Sequence, residues 1–348
     1  MRLLRLLVPG LGLLFLGYLI GRLGPGEIWH NLVVLKGTFP LVLLVALGWH
    51  LTNSAAWAFA FPPGPFRPRF HSLFMAKLAG DAVSQLTPLA NLGGEPLKAY
   101  LVRHQTPTAR GLASVVVNKT AQVFSGLVFT AVGLGLVSLH WEMYHPIPLA
   151  MRVGLAALLA LGLWFSWLLY RRQTRLFSSF LSLLRRAGLK TEFIEKKMAQ
   201  AIRIDLLIGQ LYHEHPGRLG LVLSFHALGW LLGVVETFVI LRALGVQAEL
   251  EVAFLITALT VIINSLFFFM PSNIGVLEGG QVFLFVTLGL DPALGLSLGI
   301  VKRMRKVFWI SVGWLLLVHL TRRLARDEQS AHLRPSPAAA AGNSVAQP

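Results

Sequence analysis

Pro88-Leu89-Ala90-Asn91-Leu92-Gly93-Gly94-Glu95 returns 183 residues later as Pro271-Ser272-Asn273-Ile274-Gly275-Val276-Leu277-Glu278. The same step carries Lys119 onto Lys302 and Asp81 onto Asn264. Both octapeptides stand between apolar runs, where hydrocarbon offers no hydrogen bond to the backbone groups a helix breaker sets free. Breakers at matching places in two halves of a hydrophobic chain point to a binding site built from discontinuous helices.

The surrounding composition is that of a membrane protein. Of the 348 residues 55% are hydrophobic and 13% charged, with a mean hydropathy of +0.66. Apolar runs near 6–23, 38–60, 109–138, 149–170, 219–242, 250–270 and 293–319 approach the roughly 20 residues that cross a bilayer core. Two more, 71–92 and 275–290, are short or interrupted. Arg2 and Arg5 ahead of the first run mimic a secretory signal, but no small-residue cleavage site follows, so a retained first span is expected. Cysteine is absent, which excludes disulfides, zinc–thiolate sites and iron–sulfur clusters. The eleven histidines lack ligand spacing, since His213 and His215 point apart on a helix. Neither metal nor cofactor is expected.

A net charge of +16 invites a nucleic-acid reading. No nucleic-acid-binding motif accompanies it, and cytoplasmic loops of membrane proteins collect Lys and Arg. Sides assigned on that rule place Arg2, Arg5, Arg67, Arg69, Arg171, Arg172, Arg322 and Arg323 in the cytoplasm, with both termini. The loops Trp141–Pro146 and Gly245–Glu251, which carry no Lys or Arg, fall outside. Superposed at the 183-residue step, corresponding loops have opposite charge bias, apart from a mild dissent at Lys36. The expectation is an all-α polytopic membrane protein, an inverted-repeat helical bundle with re-entrant or broken helices. Its transmembrane domain spans 1–325, with repeat A at about 38–140 and repeat B at about 219–323. Between them, 171–217 reads as cytoplasmic amphipathic helices, with Phe177, Phe180, Leu181 and Leu184 on one stripe and Ile194, Met198, Ala201 and Ile202 on another. They suit either headgroup contact or plain linkage. The Ala-, Pro- and Ser-rich end, 326–348, is expected to be a disordered tail.

Ionisable residues inside apolar sequence are costly and are candidate functional groups. Glu95 and Glu278 follow Gly-containing breaks, so each should open a new helix, where the dipole favours a carboxylate. A cap is the plain role; cation coupling or binding of a substrate's ammonium is the sharper one. Lys119 and Lys302 follow 24 residues after these glutamates, and Lys302-Arg303-Met304-Arg305-Lys306 puts four cations in five positions. Those cations need carboxylates, water or phosphate. Glu95 and Glu278 can supply the first as buried pairs; Arg303 and Arg305 suit the last through bidentate contacts. Asp81 is neutralised most simply by Lys77 at i,i+4, and Asn91 and Asn273 suit turns better than substrate contacts.

The paired octapeptides followed by a basic cluster resemble the lysylphosphatidylglycerol synthase transmembrane region, also called the flippase-like domain family, which includes a hopanoid-biosynthesis-associated membrane protein. The resemblance covers roughly 5–325. The second motif departs from it, reading Gly-Val-Leu-Glu where the family is commonly richer in glycine. It implies a bacterial or archaeal inner-membrane protein that handles a lipid, without the soluble aminoacyl-transferase domain of two-domain members and hence not an enzyme. The partner it implies is a membrane lipid: an anionic or zwitterionic phospholipid, or an isoprenoid or hopanoid lipid. Two functions follow. The chain flips a charged-headgroup lipid between leaflets, or it presents lipid to a separate lipid-modifying enzyme or glycosyltransferase. An intramembrane transferase is disfavoured, because no Asp-x-Asp pair or metal constellation is present.

Overall fold

The computed structural model describes residues 14–86, 93–139, 149–172, 176–186, 192–247, 249–267 and 273–332. Every regular element among them is helical. After α1 (Leu14–Leu23) come α2 (Pro25–Leu35), α3 (Phe39–Phe59), α4 (Phe70–Leu86), α5 (Glu95–Leu101), α6 (Thr108–Leu139) and α7 (Leu149–Arg172). The second half holds α8 (Leu176–Arg186), α9 (Glu192–Glu214), α10 (Pro216–Ala243), α11 (Leu250–Leu266), α12 (Val276–Thr287) and α13 (Pro292–His332).

Helices α3, α6, α10 and α13 are long and apolar enough to cross a membrane. Their outer faces carry exposed Leu44, Val132, Leu231 and Leu315, while His50, Lys77, Glu95, Glu236, Glu278 and Lys302 are buried. An apolar exterior around a charged interior suits lipid as the outer solvent. The chain is a multi-pass membrane protein.

The two halves repeat element by element. At the 183-residue step α3, α4, α5 and α6 fall on α10, α11, α12 and α13. The matched helices α3 and α10 pack in opposite directions: Gly48 faces Leu232, Asn53 faces Gly229, and Phe59 meets Phe225 and Arg218. The remaining contacts are exchanged reciprocally. Gly313 of α13 lies on Leu78 and Ala82 of α4, and Gly133 of α6 lies on Ala258 and Phe254 of α11. Matched helices that run antiparallel are related by a two-fold axis perpendicular to them, which for spanning helices lies in the membrane plane.

Each half contains a broken helix that turns back on itself. Gly80 of α4 abuts Gly94 at the start of α5, and Ser84 Oγ accepts the Gly94 amide at 3.0 Å. In the other half Thr260 and Ile263 of α11 face Gln281 and Gly280 of α12. Asn273 (φ 51°) and Gly275 (φ 79°) supply the left-handed backbone that starts α12. Residues 87–92 and 268–272, hence Asn91, Pro88 and Pro271, lie outside the described residues.

Three details depart from the sequence expectation. Helix α2 occupies the stretch between the expected spans 6–23 and 38–60: Gly24 (φ 91°) turns the chain, and Pro25 and Glu27 start a new helix. The buried face of α9 is Ala201–Ile204–Ile208–Leu211, the last three packed in the cluster around Trp57 and Phe61, while Ile202 points outward. Asp205, from that same helix, accepts the amides of Phe177 and Ser178 at 3.1 and 2.9 Å and caps α8. Finally α13 continues to His332, past the expected start of the tail at 326, and 333–348 lie outside the described residues.

Candidate functional site

The two hairpins and the long helices enclose a polar cavity of about 390 Å³. Repeat A contributes a chain of alternating charges. Asp81 lies between Lys77 (2.6 Å) and Lys98 (2.8 Å), and Glu95 between Lys98 (3.1 Å) and Lys119 (3.4 Å). His50 Nδ1 stands 3.2 Å from Lys77 Nζ, and the Trp49 ring 4.7 Å from the same ammonium. The i,i+4 neutralisation of Asp81 by Lys77 is therefore present, and Lys98 closes it onto Glu95.

Repeat B builds the same positions from other chemistry. Lys77, Asp81 and Lys98 fall on Thr260, Asn264 and Gln281, with Gln281 donating to Thr260 Oγ1 at 2.8 Å and Asn273 to Asn264 Oδ1 at 2.7 Å. The reverse exchange occurs one layer away. Arg305 pairs with Glu236 in repeat B, and their counterparts Gln122 and Asn53 share a neutral contact of 3.4 Å in repeat A. The Arg305–Glu236 contact is kept across the pseudo-two-fold as Gln122–Asn53, while charge is moved from one half to the other.

The two glutamates are not equivalent. Both open helices as expected, Glu95 as the first residue of α5 and Glu278 in the first turn of α12. Glu278 is fully buried; its Oε2 accepts the Gly275 amide at 3.0 Å and Arg303 Nη2 at 2.8 Å, and Arg303 also donates to the Asn273 carbonyl. The reach-back to Gly275 is the N3 half of a capping box. Pairing by the 24-residue step holds for Glu95 with Lys119 and fails for Glu278 with Lys302. The next residue, Arg303, takes the carboxylate, because one step along a helix turns the side chain by about 100°. Lys302 instead donates to Thr237 Oγ1 at 2.9 Å.

Of the residues singled out in the sequence, Asp81, Glu95, Lys119, Asn273, Lys302 and Arg305 line the cavity. Glu278 is behind its wall, and Arg303 faces an apolar groove of about 640 Å³ formed with α1, α2 and α13. Sequence reasoning missed Lys98, Glu236 and His50 as site residues. Glu236 carried a readable signal, a carboxylate inside the apolar run 219–242; Lys98 and His50 are brought in by the hairpin and by α3–α4 packing.

An inverted-repeat helical membrane protein with a charged internal cavity is the class that fold and site define. A model of the lysylphosphatidylglycerol synthase transmembrane region matches residues 3–314, and the chain belongs to that family. It is 23% identical over 319 residues to a UPF0104 membrane protein of Methanothermobacter thermautotrophicus, covering 86% of this chain and 90% of that one. No solved structure is significantly similar to the chain.

Proposed function

We propose that the protein translocates a charged-headgroup lipid between the leaflets of a cell membrane, with both termini in the cytoplasm. The observation that carries this reading is a polar cavity and an apolar groove on two faces of one α13 segment. Lys302, Arg305, Lys306 and Trp309 face the cavity, while Met304, Val307 and Phe308 face the groove with Leu16, Ile28 and Trp29. A lipid has the same division, a charged head joined to an apolar chain. Charge crossing a bilayer pays a large desolvation penalty, and a wall of ionic and hydrogen-bonding groups lowers it. The junction of two oppositely oriented repeats is where alternating access places a substrate.

The reading is tested with purified protein in liposomes containing fluorescent phosphatidylglycerol. Leaflet exchange should be faster than in protein-free vesicles, and Lys119→Gln, at a 30% exposed side chain on the cavity wall, should slow it several-fold. Exchange no faster than in empty vesicles, across anionic and zwitterionic phospholipids and isoprenoid phosphates, would exclude translocation. Lipid bound without exchange would favour the presentation of lipid to a separate enzyme.

A further inference from the structure

We infer that the cavity is built for a phosphate or diphosphate group carrying at least two negative charges, and against a cationic aminoacyl headgroup. This rests on the translocase reading only for the lipid that carries the group; the charge of the cavity stands apart from it. Six cations line the cavity, Lys77, Lys98, Lys119, Lys302, Arg305 and Lys306, against three carboxylates, Asp81, Glu95 and Glu236. Glu278, the fourth carboxylate of the region, is fully buried and taken up by Arg303. Counted at formal charge, the wall therefore carries an excess of three positive charges in an interior where like charges repel strongly.

The excess is not spread evenly. In repeat A each carboxylate sits between two lysines, so that side is nearly neutralised. In repeat B, Lys302, Arg305 and Lys306 stand within five residues of one helix, where Arg305 pairs with Glu236 and Lys302 donates to Thr237 Oγ1. That cluster, with Lys119 lining the same cavity, is the attractive end for phosphate oxygens.

The test is calorimetric titration of the full chain in phosphatidylcholine nanodiscs with three soluble probes: dihexanoyl phosphatidic acid, dihexanoyl phosphatidylcholine and inorganic pyrophosphate. Phosphatidic acid should bind at least about tenfold more tightly than phosphatidylcholine, and Lys302→Gln and Lys119→Gln should each remove about tenfold of that preference. Lys119 is partly exposed, so its variant keeps the test valid if Lys302→Gln does not fold. Pyrophosphate binding as tightly as phosphatidic acid would support the anion site and count against a lipid as its source, and so against translocation. Equal binding of both lipids, or a preference untouched by both substitutions, would overturn the inference. So would liposomes in which a cationic lysylated lipid exchanges faster than phosphatidic acid, a result that leaves translocation itself standing.

Discussion

Charge in this protein is decided residue by residue through replacement across the repeat. The triad Lys77–Asp81–Lys98 and its neutral counterpart Thr260–Asn264–Gln281 occupy matched positions. Removing one member of the buried charged set strands its partners, a loss of about 3–5 kcal/mol; exchanging the set for its neutral equivalent strands fewer. Lys98→Gln alone should therefore lower the thermal unfolding temperature in detergent clearly. The triple change Lys77→Thr, Asp81→Asn and Lys98→Gln should recover a substantial part of that loss. A triple variant less stable than the single one would contradict the equivalence. Glu95, Glu278 and the basic run were legible because ions are rare in apolar sequence. Their pairing was not: whether Lys302 or Arg303 meets Glu278 depends on about 100° of helix rotation, and only packing sets that.

At the scale of elements, the hairpins depend on small residues. A Cβ on Gly94 would overlap the Gly80 carbonyl and the Ser84 hydroxyl, whereas one on Gly135 of α6 would meet nothing. Gly94→Val should destabilise by at least about 1–3 kcal/mol, seen as lost monodisperse yield and a lower unfolding temperature, and Gly135→Val should change little. Similar losses for both would mean that the α4–α5 approach is not tight. The breaks themselves were legible from Pro, Asn and Gly. Helix α2 and the true inner face of α9 were not: α2 is apolar, but its eleven residues are too few to read as a span. Amphipathic periodicity also leaves the buried edge of a stripe uncertain by a residue or two, as Ile202 against Ile204 shows.

For the whole molecule, the antiparallel packing of α3 on α10 makes the repeats inverted, and the exposed apolar belt makes the fold a membrane one. The loops after these two helices should then lie on opposite sides. A reporter fused after Gln247 should read as extracytoplasmic, and one inserted at Pro68 as cytoplasmic. Both on one side would refute the inverted arrangement in the cell.

The sequence by itself determined the membrane class, the 183-residue repeat and its opposed halves, and the positions where the helices break. All of these follow from local chemistry, the hydropathy of a run and the charge of a loop. The tertiary structure alone decided which ions share the cavity. Glu236 and Lys98 come to one wall with Lys119 and Lys302 because two hairpins and two antiparallel helices converge there. The excess of positive charge that results is a property of that convergence, since a charge's partners are chosen by distance in space and not along the chain.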